Sequence, residues 1–143
     1  MTNPAPLMAG KKGLIMGVAN DRSIAWGISK ALSEHGAELA FTYQGDALLK
    51  RVQPLAASVG SDMVMPCDVT DSGSLQTTFD TIAEKWGKLD FILHAIAFSD
   101  KEELKGRYID TSADNFQATM NISCYSFTQV CQHAAPMMNE GGS

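Results

Sequence analysis

The chain has 143 residues, 45% of them hydrophobic and 19% charged, which is the length and make-up of one globular domain with a core of its own. Its net charge is −5 and its 11 Lys and Arg residues are scattered, which argues against a nucleic-acid surface; no apolar segment is long enough to predict a membrane span. The start, Met1-Thr2-Asn3-Pro4-Ala5-Pro6, lacks the basic and apolar regions of a signal peptide and reads as a loose tail, while Cys67, Cys124 and Cys131 show no metal spacing and read as buried, reduced thiols of a cytoplasmic protein.

Gly13-Leu14-Ile15-Met16 is a short apolar run that predicts a buried strand. Ile24, Ala25, Ile28, Ala31 and Leu32 then recur at helical spacing, which predicts a helix to about His35 with Gly36 as its C′ residue. A strand, a glycine turn and a helix open a βαβ unit, and a helix N-terminus, with unpaired N–H groups and a partial positive charge, can hold a phosphate. Gly17 permits the sharp turn and the close approach of a ligand. Ser23 is the expected N-cap, its hydroxyl within reach of a phosphate oxygen, and Gly27 is expected to let the helix pack closely on the strand. The spacing Gly17-x5-Ser23-x3-Gly27 is not the dinucleotide fingerprint, so an ordinary turn with a capping serine is the competing reading of this stretch.

Glu38–Tyr43 reads as the second strand, ending at Gln44-Gly45-Asp46. In a dinucleotide fold this strand end meets the adenosine ribose. Gln44 occupies that place, and Asp46 reads as the N-cap of the next helix. No basic residue follows Gln44 closely, since Lys50 and Arg51 come a full turn later, which leans towards NADH over NADPH. The second helix carries Leu48, Leu49, Val52, Leu55, Ala56 and Val59 on one side and stops at Gly60; Pro54 inside it predicts a kink or break. The third strand, Asp62–Cys67, is followed by Asp68-Val69-Thr70. At a strand's carboxyl end the Asp68 carboxylate can accept hydrogen bonds from an adenine amino group or merely cap a turn, and position alone does not choose between them.

The third helix opens at Asp71, places Leu75, Phe79, Ile82 and Trp86 towards the core and ends at Gly87. Leu89–Ala97 is nearly all apolar, as expected of a strand covered on both faces. The polar loop Phe98–Tyr108 follows, and a long fourth helix starts near Thr111 or Ser112, where Thr111-x-x-Asp114 resembles a capping box. It runs through Phe116, Met120, Phe127, Val130, Cys131 and Ala134. The pattern is βα four times over. It predicts an α/β fold, a doubly wound parallel sheet of order 3-2-1-4 with right-handed crossovers.

The chain resembles the N-terminal portion of the bacterial NADH-dependent enoyl-acyl-carrier-protein reductases, a divergent branch of the short-chain dehydrogenase/reductase superfamily. The resemblance rests on Gly17-Val18-Ala19-Asn20, Ser23–Gly27, Glu38–Gln44, Cys67-Asp68-Val69, His94–Phe98 and Ser123–Phe127, which occur in family order along the whole chain. His94-Ala95-Ile96-Ala97 stands where ordinary short-chain dehydrogenases carry Asn-Asn-Ala-Gly; Ala97 departs from a glycine frequent in the family. The resemblance implies a Rossmann-type sheet truncated after its fourth βα unit, with residues 1–143 the N-terminal part of one larger NAD-binding domain. It implies that Gly17, Ser23 and Ile24 line the pyrophosphate turn, that Gln44 sits beside the adenosine, and that Asp68 and Val69 hold the adenine. Ile96 would lie near the nicotinamide ribose and Ser99 would face the acyl pocket, while His94 would be structural.

The activity implied is hydride transfer from NADH to the β-carbon of a trans-2-enoyl thioester on acyl carrier protein, in type II fatty acid biosynthesis, by a cytoplasmic homotetramer with no metal. A tyrosine and a lysine spaced Tyr-x6-Lys would serve the developing enolate, and they are expected beyond Ser143. Tyr43, Tyr108 and Tyr125 are not expected to replace that tyrosine, so the chain alone is expected to be inactive, with an uncovered fourth-strand edge. Two other readings stay open, a carbonyl-reducing short-chain dehydrogenase and a non-catalytic nucleotide-binding module.

Overall fold

The computed structural model describes residues 6–143; the expected loose tail lies almost wholly outside them. Strand β1 (Lys12–Met16) leads to helix α1 (Ile24–Glu34), β2 (Glu38–Tyr43) to α2 (Asp46–Ser58), and β3 (Val64–Pro66) to α3 (Ser72–Trp86). Strand β4 (Phe91–His94) ends in a long loop that leads to α4 (Ala113–Met120) and α5 (Ser126–Ala134). The four strands are parallel and lie in the order β3-β2-β1-β4, as the βα repeat predicts.

Alternation along the strands divides the core in two. Leu14 and Met16 of β1 and Ala40 of β2 face α3 and α5, packing with Leu75, Phe79, Ile82, Val130 and Ala134. Ile15, Leu39 and Phe41 point the other way, against Ala25 and Trp26 of α1 and Val52 and Ala56 of α2. Burial on both faces is what lets β1 and β2 be continuously apolar. A Cβ at Gly13 would overlap the Phe91 ring, so this glycine sets the closeness of β1 and β4.

Several local expectations are corrected. On α1 the buried residues are Ala25, Trp26 and Ser29, whereas Ile24 and Ile28 are exposed. Gly27 faces open space and does not mediate helix–strand packing. Gly45, not Asp46, is the N-cap of α2; Asp46 sits in the first turn, where its charge complements the helix dipole. Helix α2 runs unbroken through Pro54.

Strands β3 and β4 are shorter than their apolar runs, and β4 is only half-buried beyond Phe91. It is an outer strand of the sheet, so its second face and edge receive less cover than an inner strand's. The edge is not bare, however: Leu89 pairs with Met138, and the Ile92 N–H donates to the Ser143 carbonyl at 2.9 Å. The fourth helix is interrupted by a π turn over Asn121–Tyr125. Ser112, not Thr111, caps it, accepting the Asn115 N–H at 3.1 Å. Phe116, Met120 and Phe127 are exposed, as are Cys124 and Cys131; of the three thiols only Cys67 is buried.

Candidate functional site

Parallel strands send all their carboxyl ends to one side, and a cleft of about 200 Å³ opens there. Its walls are Gly17–Ala19 after β1, Thr42–Gln44 at the end of β2, Leu48 of α2, Cys67 and Val69 after β3, and Ala95–Ala97 after β4. It lies at the carboxyl ends of β1 and β4, where the chain, having stepped from β1 to β2 to β3 in one direction, crosses back to the other side of β1; this is the switch point at which open α/β sheets bind ligands.

Gly17 makes the first wall. Its φ is +109°, and a Cβ would overlap the Ala95 carbonyl oxygen, so a side chain is excluded both by conformation and by the approach of β4. Ser23 behaves differently from the N-cap expected of it. Its backbone has the N-cap conformation, but its Oγ turns back to accept the Ala19 and Asn20 N–H groups at 2.9 and 3.0 Å. The hydroxyl thus shapes the turn from inside and leaves the start of α1 without a side-chain cap. Trp26 and Gly27 donate their N–H groups to the Ser23 carbonyl at 3.0 and 3.1 Å, so the Ile24 and Ala25 N–H groups and the helix dipole remain available to an anion.

Of the residues singled out from sequence, the cleft brings together Gly17, Gln44, Val69 and Ile96. Ser23, Ile24, Asp68 and Ser99 are not in its wall. Ile24 is 81% exposed at the mouth of α1. Asp68 closes a turn: its Oδ1 accepts the Thr70 N–H at 2.9 Å and the Thr70 hydroxyl at 2.7 Å, while its own N–H donates to Ser74 Oγ at 2.9 Å. Ser99 Oγ is engaged by the fourth helix, accepting from Thr119 Oγ1 at 2.9 Å and Asn115 Nδ2 at 3.2 Å.

Sequence reasoning missed Thr42, Tyr43, Leu48, Cys67 and Ala95 as wall residues. The strand-end positions of Tyr43, Cys67 and Ala95 were a signal for them; Leu48 reads only as a core residue of its helix. The wall holds no charged side chain. Burial pushes the Cys67 thiol up, so it lines the cleft as a neutral group.

His94 sits behind the cleft. Its Nε2 is 2.8 Å from Ser126 Oγ, and its ring meets Phe127 edge-on. Because the Ser126 hydroxyl donates to the Ile122 carbonyl at 2.6 Å, the imidazole Nε2 is the donor to Ser126. Burial holds the imidazole below its usual range, so it is a neutral packing group. Tyr43 has a lysine at the Tyr-x6-Lys spacing, Lys50, which spacing alone would admit as a pair. But Tyr43 ends a strand and Lys50 is exposed on α2, so they do not share a helix face, and no hydrogen bond joins them. Among the described residues no cluster of His, Cys, Asp or Glu could hold a metal ion, and no helix is long and apolar enough to cross a membrane.

Comparison with known proteins gives the same picture at family level. Residues 17–143 match the family model described as Enoyl-(Acyl carrier protein) reductase. The chain is 65% identical over 137 residues to the Rhizobium meliloti Enoyl-[acyl-carrier-protein] reductase [NADH] 2, covering 96% of this chain and 51% of that protein. It superposes with a TM-score of 0.92 on the Anaplasma phagocytophilum reductase solved with NAD, at 56% identity, covering 96% of this chain and 53% of the other. A Bacillus cereus enoyl-acyl carrier protein reductase solved with NADP+ and indole naphthyridinone has a TM-score of 0.90 at 43% identity, covering 94% and 53%. The chain therefore spans about half the length of the relatives it matches. With the model matched from the first glycine turn to Ser143, and the predicted sheet order and switch-point cleft both present, the chain belongs to the enoyl-(acyl carrier protein) reductase family.

Proposed function

We propose that these 143 residues are the N-terminal, cofactor-binding part of one larger domain, that of a cytoplasmic NADH-dependent enoyl-acyl-carrier-protein reductase of type II fatty acid biosynthesis. The observation that carries this reading is the uncharged switch-point cleft walled by Gly17, Gln44, Val69 and Ile96, in a chain of this family. When bound, the dinucleotide supplies a hydride for the β-carbon of a trans-2-enoyl thioester carried on acyl carrier protein.

The chain's own residues bind and orient. Gly17 lets the pyrophosphate approach the backbone, Ser23 holds the turn, and Ile24 opens the helix whose N–H groups face the phosphates. Gln44 lies beside the adenosine. Val69 would pack on the adenine, and Asp68 would accept from its amino group through the oxygen that Thr70 does not use. Ile96 meets the nicotinamide ribose and the Ser99 segment borders the acyl pocket. The enolate oxygen that develops needs a hydrogen-bond donor and a cation. No tyrosine–lysine pair of this chain supplies them, so the 143 residues alone bind dinucleotide and reduce no enoyl thioester, and the full-length enzyme works as a homotetramer.

The matched Rhizobium meliloti reductase is named for NADH and the Anaplasma phagocytophilum one was solved with NAD, and this chain's own residues support the same cofactor. Gln44 is neutral, and Lys50 and Arg51 lie on α2 outside the cleft wall, so nothing grips a 2′-phosphate. Calorimetric titration should show tighter binding of NADH than NADPH, and Gln44→Arg should reverse the order. Equal affinities in the unsubstituted chain would overturn the cofactor assignment, and absence of binding to either would overturn the reading as a whole.

A further inference from the structure

The segment that leaves β4 at the rim of the cleft is fastened to the fourth helix at three successive residues. Ser123 Oγ accepts the Phe98 N–H at 3.0 Å and donates back to the Phe98 carbonyl at 3.1 Å, gripping both polar groups of one residue. Asn115 Oδ1 accepts the Asp100 N–H at 3.0 Å. Because a backbone N–H only donates, this contact fixes which end of the amide is oxygen. Asn115 Nδ2 is then left to donate to Ser99 Oγ at 3.2 Å and to Thr111 Oγ1 at 3.1 Å. Thr111 in turn donates to Glu103, which also accepts the Ser112 N–H and hydroxyl, closing the far end of the loop.

Asn115, Thr119 and Ser123 recur four residues apart and so form one polar stripe on the helix. Ser123 belongs to the π turn Asn121–Tyr125, a feature that is rare in helices and frequent at functional sites. A stripe of polar residues turned inward, beside an apolar stripe left exposed, is the reverse of the usual economy of an amphipathic helix. What the inward stripe does is hold Phe98, Ser99 and Asp100.

We propose that Asn115 and Ser123 are positioning residues for the substrate-side loop: they set the backbone of Phe98–Asp100, and Ser99 takes part through the hydroxyl that locks it to the helix rather than through a hydroxyl aimed at the substrate. This rests on the reductase reading above. On that reading the Phe98–Asp100 backbone lies on the acyl side, next to the wall residue Ala97, whereas the dinucleotide meets Gly17, Gln44, Val69 and Ile96, so the two binding events respond differently.

The test uses full-length protein carrying this sequence, with Asn115→Ala, Ser123→Ala and the hydroxyl-retaining Ser123→Thr. Amide hydrogen exchange is followed at Phe98 and Asp100, together with steady-state reduction of a crotonyl thioester by NADH. Losing one such hydrogen bond should raise KM for the thioester about tenfold, with KM for NADH and kcat within about twofold. Phe98 should exchange faster in Ser123→Ala and Asp100 faster in Asn115→Ala, and Ser123→Thr should restore both KM and protection. The proposal is overturned if thioester KM moves no more than NADH KM, if both amides stay protected, or if Ser123→Thr behaves as Ser123→Ala. If the unsubstituted protein reduces no enoyl thioester, the reductase reading is what fails, and the exchange data still judge the clamp.

Discussion

Gly17 carries two constraints at once, a positive φ and the Ala95 carbonyl, just after β4, where its Cβ would be. Gly17→Ala should therefore cost at least about 2 kcal/mol, from strain plus overlap, measured as a lower urea midpoint together with loss of dinucleotide binding. His94 makes a pH prediction. Its imidazole is held below the ordinary range by burial, so the unfolded chain binds the proton more readily. Its contribution to stability is complete above the unfolded value of about 6.5 and is lost as pH falls through the folded value. Unfolding free energy should fall as pH drops below about 6.5, and His94→Gln should flatten that slope. An unchanged slope in the variant would mean that other groups carry it.

Helices α3 and α4 begin with side-chain caps, whereas α1 and α2 do not. In α3 the Asp71 carboxylate accepts the Gly73 and Ser74 N–H groups at 2.9 and 3.2 Å. Asp71→Ala should destabilise by about 1 kcal/mol in chemical denaturation without touching the cleft. The start of α1, without a side-chain cap, has the opposite meaning, since the Ile24 and Ala25 donors are left for a ligand. In the loop before α4 the Glu103 carboxyl is held below the usual carboxylate range, chiefly by the Ser112 hydroxyl and then by the Ser112 N–H. That clasp is present above the ordinary carboxylate value and is released as pH falls through the lowered one.

Across the molecule, apolar cover is uneven. Phe116, Met120 and Phe127 form an exposed stripe on the fourth helix, and among the described residues the outer side of β4 is met by the segment Met137–Ser143. A patch of this kind seeks a partner. The 143-residue chain should self-associate on size exclusion, and the double substitution Phe116→Glu and Phe127→Glu should shift it towards monomer. Elution as a monomer before substitution would show that the stripe is tolerated bare. The same chain should give no crotonyl-thioester reduction with NADH.

The order of elements, the parallel sheet 3-2-1-4, the Gly17 turn, the Asp71 cap and the buried face of Leu75, Phe79 and Ile82 could all be read from the residues, because strand runs, helical spacing and caps are local signals. Gln44 could be placed at the cleft for a related reason: parallel strands end on one side, so strand ends converge whatever the details; Val69 and Ile96 are placed there through the family resemblance. Which way Ser23 Oγ turns was not legible, since its partners Ala19 and Asn20 compete with the helix start within the same few residues. Nor was the facing of the fourth helix. Its sequence offers an apolar stripe and a polar stripe side by side, and a period of 3.6 residues says nothing about rotation around the helix axis. The choice fell to distant partners: the Phe98 and Asp100 amides, Ser99 and His94, all supplied by β4 and its loop, turn Asn115, Thr119, Ser123 and Ser126 inward and leave the phenylalanines outside.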